Sequence, residues 1–260
     1  MMAEFDKAAI EYDEIFTHSQ IGSMQRNQVW KHLTSVVLPE RKLDILEINC
    51  GTGEDAIKLA AMGHHVIATD ASNRMLDVAS SKPGAKYIHL KQLDMKSLGQ
   101  FDQFGQYDLI FSNFGGINCI DDLSISKLSM DINSLLKPGG RFIAVVMPDF
   151  CLWESFYYLM KNDFERGKRR LAGSAVANVS GIPVNTWYYA PKNLYKKFKA
   201  HFKVEKIRPI GLFIPPSYLE HFFRKNVGLL KVLKTLEVVI SGFSWVSGLS
   251  DHYYIQLIKR

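Results

Sequence analysis

Short apolar runs alternate with amphipathic stretches along the middle of the chain. The apolar runs predict strands at 43–48, 65–70, 85–92, 107–113 and 140–148. Between most of them, apolar residues recur at helical spacing and predict helices at 54–63, 72–81 and 124–137. Strands and helices that alternate in this way favour an α/β fold with an open, mostly parallel sheet and helices on both faces.

The two ends of the chain depart from this alternation. Residues 4–16 and 22–37 predict two helices, which form an N-terminal helical cover over residues 1–40. Near the C-terminus the pattern predicts a helix at 191–200, a strand near 203–213, a helix after Pro215 and Pro216, and a last strand at 251–259. These two further strands bring the expected sheet to seven.

Residues 149–190 interrupt the regular pattern after the fifth strand. This stretch is rich in aromatic residues and contains the basic run RGKRR at 166–170. We interpret it as a lid inserted into a single domain of residues 1–260, followed by C-terminal strands and a helix at 191–260.

The composition is typical of a globular domain with a sizeable core. The chain has 260 residues, of which 47% are hydrophobic and 22% are charged. Its net charge of +6 is compatible with an anionic partner but does not require one. The apolar stretch 227–240 is interrupted by Lys231, Lys234 and Glu237, and no membrane span is expected.

The cysteines favour a reducing compartment. Cys50, Cys119 and Cys151 are odd in number and form no C-x-x-C pair, so neither a disulfide framework nor a metal site is predicted. The N-terminus has no uninterrupted apolar run of the kind found in signal peptides. A cytoplasmic location is therefore expected.

A glycine-rich turn follows the first predicted strand. Gly51, Gly53 and Ala56 fit G-x-G-x-x-A, a pattern typical of dinucleotide-binding turns. Asp70 ends the second strand, 17 residues after Gly53, near the position of a ribose-binding acid. Taken alone, this pattern favours an NAD-dependent oxidoreductase.

Carboxylates around the turn argue for a different ligand. Glu47 precedes the turn, and Glu54 and Asp55 begin the next helix. A pyrophosphate among three carboxylates would meet repulsion on the order of 1 kcal/mol per contact. S-adenosylmethionine carries a ribose, an ammonium and a sulfonium but no phosphate, so it suits an acidic site better.

With these features, residues 40–147 resemble the class I S-adenosylmethionine-dependent methyltransferases, in particular their small-molecule branch. The family's first motif reads acid-x-G-x-G-x-G, and here residues 47–53 read EINCGTG, with Asn49 at the first glycine. The resemblance implies a Rossmann-like fold, S-adenosyl-L-methionine as cofactor, and a cofactor-binding half at residues 41–148.

The resemblance also implies roles for individual residues. Asp70 would hold the ribose, Ala71 and Met75 would lie along the adenine, and Asp94 would face the adenine amine between Leu93 and Met95. Asn113, in the fourth motif, would lie near the methyl group. The full expected cofactor-binding set is Tyr12, Arg26, Glu47, Asn49, Cys50, Gly51, Gly53, Asp70, Ala71, Met75, Leu93, Asp94, Met95 and Asn113.

Several of these residues could instead have purely structural roles. Tyr12 would pack on the cofactor and Arg26 would bind its carboxylate, but both could equally belong to an ordinary packed helix. Asp94 could be a helix cap. No catalytic base is predicted, because His18, His64, His201, His221 and His252 have no partner visible in the sequence.

Four functions are compatible with the sequence. The first is a methyltransferase that acts by in-line displacement on a small-molecule or lipid-like acceptor. The second is an RNA- or protein-modifying methyltransferase, which the basic residues around 161–208 favour, although no nucleic-acid module is recognised. The third is a cofactor-binding protein without catalysis, and the fourth is the NAD-dependent oxidoreductase. The oligomeric state is left open.

Overall fold

A computed structural model describes residues 5–6, 8–101, 105–179 and 181–260. The strands are β1 (Asp44–Ile48), β2 (His65–Asp70), β3 (His89–Gln92), β4 (Tyr107–Ser112), β5 (Leu136–Val146), β6 (Ser174–Val179), β7 (Ile182–Trp187), β8 (Phe202–Ile210) and β9 (His252–Lys259). The helices are α1 (Gln20–Leu33), α2 (Glu54–Ala61), α3 (Asn73–Ser81), α4 (Ser124–Leu135), α5 (Leu152–Met160), α6 (Phe164–Gly167), α7 (Pro191–Phe198), α8 (Glu220–Arg224) and α9 (Val227–Ile240).

Seven of the strands form one mostly parallel sheet in the order β3-β2-β1-β4-β5-β9-β8. Strands β1 to β5 run parallel, whereas β9 is antiparallel to both of its neighbours. The predicted seven-stranded, Rossmann-like sheet is confirmed. Because the carboxyl ends of parallel strands share one edge, β1, β2 and β4 bring their terminal residues together there.

Both faces of the sheet are buried under helices, as the continuous apolar runs predict. Leu46 and Ile48 of β1 contribute to the core cluster that includes residues of α4 and α7. Ile45, on the opposite face of the same strand, contributes to the cluster that includes residues of α1, α2 and α3. The sheet is thus a buried scaffold, and polar residues at its edge are positioned rigidly.

The first predicted helix, 4–16, is wrong in its extent. Residues 1–4 and 7 lie outside the described residues, 8–11 form turns, and Asp13–Thr17 form one short π-helical segment. Two side chains of this region bond elsewhere, Asp13 to Thr52 and Asp6 to Ser72. Such tertiary contacts override local helix propensity.

The third strand is also shorter than predicted, since 85–87 form a 3₁₀ turn before β3. The stretch 149–190 contains α5, α6, a 3₁₀ turn at Arg169–Ala172 and an antiparallel hairpin of β6 and β7. The hairpin was not predicted. Pro215 and Pro216 are followed by a 3₁₀ turn and two helices, α8 and α9. In the described part of the chain, no helix has the length and apolar character that crossing a bilayer requires.

Candidate functional site: a cavity at the carboxyl edge of the sheet

The turn after β1 uses left-handed backbone conformations. Gly51 and Gly53 have φ values of +54° and +75°, which residues with a Cβ rarely adopt. Asn49 occupies the same region with φ +60°, and asparagine tolerates this better than most residues. The backbone N–H of Cys50 donates to Thr69 O at 2.8 Å, so the turn stays joined to β2.

Asp70 closes this turn from the neighbouring strand. Its carboxylate accepts hydrogen bonds from the backbone N–H groups of Gly51 and Ser72, each at 2.9 Å. Burial raises its pKa, and these two hydrogen bonds oppose the shift. The side chain is therefore held at the carboxyl end of β2, in the position expected of a ribose-binding acid.

Asn49 turns its side chain away from the turn and ties two strand ends together. Its Nδ2 donates to Asn113 O at 2.8 Å, and its Oδ1 accepts from the Ser112 hydroxyl at 2.5 Å. A Cβ on Gly116 would overlap the Asn49 amide, so a side chain there would displace this amide from its hydrogen bonds. The amide thus fills a gap between β1 and the loop after β4.

A cavity of about 550 Å³ opens at this edge of the sheet, within the range of small-molecule sites. Thirteen of the fourteen predicted cofactor residues line it: Tyr12, Arg26, Glu47, Asn49, Cys50, Gly51, Asp70, Ala71, Met75, Leu93, Asp94, Met95 and Asn113. Gly53 does not line it. A Cβ there would lie 3.0 Å from the Ala79 Cβ, so Gly53 serves the close packing of α2 against α3.

Glu47 is the most unusual residue in the wall of the cavity. Its side chain is almost fully buried, and its Oε2 has no hydrogen-bond partner among the described residues. Burial raises the pKa of Glu47 well above its usual range, and the nearby charge of Asp55 adds to the shift. An unpaired buried carboxyl group that lines a cavity is suited to receive a donor from a ligand.

Asp55, by contrast, is fully engaged. It accepts hydrogen bonds from Arg26 Nη1, from Trp30 Nε1 at 2.7 Å and from Asn113 Nδ2 at 2.7 Å. Burial alone would raise the pKa of Asp55, but the charge of Arg26 and these hydrogen bonds hold it below its usual range. Arg26 therefore neutralises Asp55, and its Nε is left without a partner among the described residues.

This pairing corrects the charge argument drawn from the sequence. Of the three carboxylates near the turn, Asp55 is paired with Arg26, and Glu54 lies 3.2 Å from Lys82 Nζ. Glu47 is the one of the three that keeps a buried oxygen without a partner in the described part of the chain. The acidity of the site is thus concentrated in Glu47 and Asp70 instead of being spread around the turn.

The N-terminal segment is fastened over the turn by Asp13. Its carboxylate lies 2.5 Å from Lys82 Nζ and accepts from the Thr52 hydroxyl at 2.6 Å. Tyr12, the preceding residue, lines the cavity, and its ring centroid lies 5.1 Å from that of Phe16. The segment thus closes one side of the cavity.

The far end of the cavity combines apolar and polar residues. Asp94 caps the 3₁₀ turn that follows β3 by accepting from Lys96 N at 2.9 Å, and it also lines the cavity. Leu93, Met95 and Met75 supply apolar walls beside it. Asp94 therefore both caps the turn and lines the cavity.

Sequence reasoning missed a polar cluster that also lines the cavity. His252 Nδ1 lies 3.2 Å from an Asp251 carboxylate oxygen, and its ring meets Phe114 edge-on at 5.3 Å. Asp251 also binds Arg170 at 2.9 Å and Gln25 at 3.1 Å. Although burial opposes it, the charges of His252 and Arg170 hold the pKa of Asp251 below its usual range. The adjacency of Asp251 and His252 at the start of β9 was a visible but weak signal.

The basic run of the lid is largely used within the protein. Arg169 binds Glu154 at 2.6 Å and 3.0 Å, and Arg170 binds both Glu154 and Asp251. Glu154, Arg170 and Asp251 are buried. Two of the cations that favoured a nucleic-acid partner are therefore structural.

Residues 45–140 match the family model described as a methyltransferase domain. The protein YqeM of Bacillus subtilis (strain 168) is 32% identical over 153 residues, which are 56% of this chain and 56% of that protein. The demethylmenaquinone methyltransferase of Clavibacter sepedonicus is 30% identical over 146 residues, 54% of this chain and 55% of that protein. The chain thus spans about half the length of these curated relatives.

A third relative is the tRNA 5-carboxymethoxyuridine methyltransferase of Escherichia coli (strain K12), 30% identical over 102 residues, 36% of this chain and 39% of that protein. Among solved structures, an S-adenosylmethionine dependent methyltransferase from Mesorhizobium loti superposes with a TM-score of 0.55 at 15% identity. The match covers 90% of this chain and 98% of that one, and it shows a shared fold.

The fold and the cavity at its carboxyl edge define an α/β domain with a ligand-sized cavity where open parallel sheets bind their ligands. Residues 45–140 are similar to a methyltransferase domain, and the whole fold is shared with an S-adenosylmethionine dependent methyltransferase of known structure. The predicted resemblance to methyltransferases is confirmed over residues 45–140. The named relatives act on a demethylmenaquinone and on a tRNA nucleoside, two chemically different acceptors.

Proposed function

We propose that this protein transfers a methyl group from S-adenosylmethionine to a small-molecule or lipid-like acceptor. The observation that carries the proposal is the unpaired carboxylate oxygen of Glu47 beside a turn whose Gly51 faces open space. A cationic nucleoside offers an ammonium group to that oxygen, whereas a pyrophosphate offers only negative charge.

The residues present fit the cofactor from end to end. Asp70 offers carboxylate oxygens to the ribose hydroxyls, and Leu93, Met75 and Met95 offer an apolar slot for the adenine. Glu47 receives the ammonium, and the free Nε of Arg26 is the donor we assign to the carboxylate. When bound, the cofactor supplies an activated methyl group on a positively charged sulfur.

The protein's own contribution is mainly positioning. Holding two reactants in line supplies effective-molarity gains of roughly 7–11 kcal/mol without further chemistry. The acceptor would lie between the loop after β4 and the lid, where Phe114, Met147, Val184 and Tyr218 line the cavity. These walls are apolar, so they favour an apolar or flat acceptor and exclude water.

An acceptor whose attacking atom carries a proton also needs a base, and we assign this role to His252. Its ring lines the cavity, and its Nδ1 lies 3.2 Å from a carboxylate oxygen of Asp251. In the neutral imidazole, a proton on Nδ1 toward that oxygen would leave Nε2 to accept the proton of the acceptor. Asp251 is itself fixed by Arg170 and Gln25, so it acts as a positioning residue.

Calorimetry tests the cofactor assignment directly. We expect S-adenosylhomocysteine and S-adenosylmethionine to bind the purified protein, and NAD to give no heat of binding. Methyl transfer is then measured with radiolabelled S-adenosylmethionine against extracts separated into lipid, small-molecule and RNA fractions. Binding of NAD alone would overturn the proposal, and cofactor binding without transfer to any fraction would favour a binding protein without catalysis.

His252→Gln tests the proposed base. A general base contributes about 10²–10⁴-fold to rate, so transfer to a hydroxyl or thiol acceptor should fall by that factor. Affinity for S-adenosylhomocysteine should stay within about twofold. Unchanged transfer to such an acceptor would remove His252 from the mechanism.

A second candidate is an RNA acceptor, which the tRNA-modifying relative supports. Against it, Arg169 is paired with Glu154, and Arg170 is paired with Asp251 at the start of β9. A cytoplasmic location is proposed with either acceptor because Cys50, Cys119 and Cys151 form no disulfide within the described residues.

A further inference from the structure

The surface formed by α9 and the residues that follow it carries an unusual concentration of exposed apolar side chains. Six large apolar residues of this 14-residue helix are exposed: Val227, Leu229, Val232, Leu236, Val238 and Val239. Phe243 and Trp245, just beyond the helix, are 49% and 75% exposed. An apolar patch of this kind on a folded domain marks a contact surface.

Four of these residues share one side of the helix. At 100° per residue, Leu229, Val232, Leu236 and Val239 fall within an arc of about 80°. We call these four, with Phe243 and Trp245, the docking face. The helix is too short to span a bilayer and carries Lys231 and Lys234, so the face is suited to lie along a surface.

The helix is fixed so that this face points outward. Glu237 is buried and its carboxylate accepts from the backbone N–H groups of Gly211, Phe213 and Ile214 at 2.7–3.2 Å. Leu230 packs into a small cluster with Ile21, Ile214 and Phe223. These contacts hold the other side of α9 against the domain, so the docking face stays exposed.

The exposed charged side chains of residues 221–245 have one sign. They are Arg224, Lys225, Lys231 and Lys234, of which Lys231 is the nearer to the face on α9, whereas the one acid in this stretch, Glu237, is buried and Glu220, just before the stretch, is half-buried. Apolar side chains combined with cations and no exposed acid match the surface of a bilayer that contains anionic lipid. An exposed tryptophan is also typical of the membrane interface.

We propose that the docking face seats the protein on an anionic membrane surface. Pro216, Ser217 and Tyr218 line the cavity and precede α8 and α9, so part of the cavity wall and the docking face belong to one continuous segment of the chain. The inference also narrows the class of acceptor to apolar molecules held in a bilayer, and this part of it rests on the proposed function.

Vesicle co-sedimentation tests this with the full chain. The probes are vesicles of phosphatidylcholine alone and of phosphatidylcholine with about 30 mol% phosphatidylglycerol, in low and high salt. We expect binding to the anionic vesicles that weakens with salt, and a blue shift of tryptophan emission on binding. The double variant Val232→Glu/Leu236→Glu should lose at least about tenfold in affinity. Lys231→Gln, beside the docking face, should lose about fivefold, whereas Lys234→Gln, on the opposite side of α9, should change the affinity less.

The matched control is Leu123→Glu/Met130→Glu, which places the same two charges on exposed apolar sites elsewhere. It should bind vesicles as the parent does. Unchanged binding by Val232→Glu/Leu236→Glu, or no binding by the parent, would overturn the proposal. Light scattering that shows a parent dimer converted to a monomer by this variant would overturn it in favour of a second copy of the chain. Affinity for S-adenosylhomocysteine, measured without vesicles, reports separately on folding and on the proposed function.

Discussion

In the free protein, the burial of Glu47 opposes the ionisation of its carboxyl group. Its burial raises its pKa well above the usual range, so the protonated form is favoured once the chain is folded. A carboxyl group with a raised pKa in the folded state contributes stability at low pH, and that stability is lost as pH rises through the folded-state value. A ligand ammonium beside Glu47 would favour the ionised form, so binding should release a proton.

The variant Glu47→Gln separates these effects. At about pH 8 we expect a higher melting temperature than the parent, because the buried ionisable group is gone. Affinity for S-adenosylmethionine should fall by roughly 10–100-fold, the value of a charge-assisted hydrogen bond. Calorimetry in buffers of different ionisation enthalpy should show proton release by the parent only. Equal proton release by both proteins would exclude Glu47 as its source.

Gly51 and Gly63 offer a matched pair for the role of the glycine turn. Both have positive φ values, and a Cβ at either meets no atom within 4 Å. Alanine at either site should therefore cost about 1–2 kcal/mol of unfolding free energy from backbone strain. Gly51→Ala alone should weaken binding of S-adenosylhomocysteine, by about tenfold or more, because Gly51 lines the cavity and Gly63 does not. Equal affinities in the two variants would contradict close approach of the cofactor to Gly51.

Residue types and spacing were sufficient to predict thirteen residues of the cavity wall, but not its charge balance. Glu47, Asp70 and Asp94 stand at strand ends, which the alternation of strands and helices locates. The partner of Asp55 was not predictable in the same way, since Arg26 precedes it by 29 residues and reaches it only through the packing of α1. His252 was missed for a related reason, because its neighbours in the cavity come from distant segments.

At the scale of elements, one buried ion-pair network joins the lid to the sheet. Arg170, after α6, binds Glu154 of α5 and Asp251 at the start of β9. Removing one member of a buried pair leaves the other charges without compensation. The lid is therefore fastened to the same aspartate that positions His252.

The variant Arg170→Met should lower the unfolding free energy by about 3–5 kcal/mol, since Glu154 and Asp251 would remain buried without this cation. Arg166→Met is the control, because Arg166 pairs with Asp163 at 3.4 Å on the surface and its side chain is 69% exposed. Its effect should stay within about 0.5 kcal/mol. Urea unfolding of the three proteins gives both values, and equal midpoints would show that the network adds no stability.

The helices and the hairpin of residues 149–190 could not be predicted in the way that the strands of the main sheet could. The parallel strands carry long apolar runs because both of their faces are buried. Strands β6 and β7 form a two-stranded sheet apart from the main one, and Val176 is 63% exposed while Val184 is buried. With only part of their side chains buried, the apolar signal is weak, and the aromatic residues around the hairpin dominate the pattern.

For the whole molecule, the distribution of charge matters more than its sum. The excess of 32 basic over 26 acidic residues gives +6, which by itself fits an anionic partner. Four of the twelve basic residues in the region that suggested RNA binding, 161–208, have acidic partners: Arg166, Arg169, Arg170 and Lys197. We expect the other eight to act as separate cations in RNA binding.

Binding of unfractionated tRNA tests this distribution directly. Separate surface cations give non-specific dissociation constants of about 10⁻⁴–10⁻⁶ M near physiological salt, and we expect values in this range by fluorescence anisotropy. Neutralising Lys231 and Lys234 should weaken this binding modestly. The slope of the salt dependence should fall by about one for each phosphate that the protein no longer neutralises. A dissociation constant near about 10⁻⁸ M, in the typical range of specific complexes, would instead point to an organised RNA surface. The acceptor would then be sought among RNAs, while the cofactor assignment to Glu47, Gly51 and Asp70 would stand unchanged.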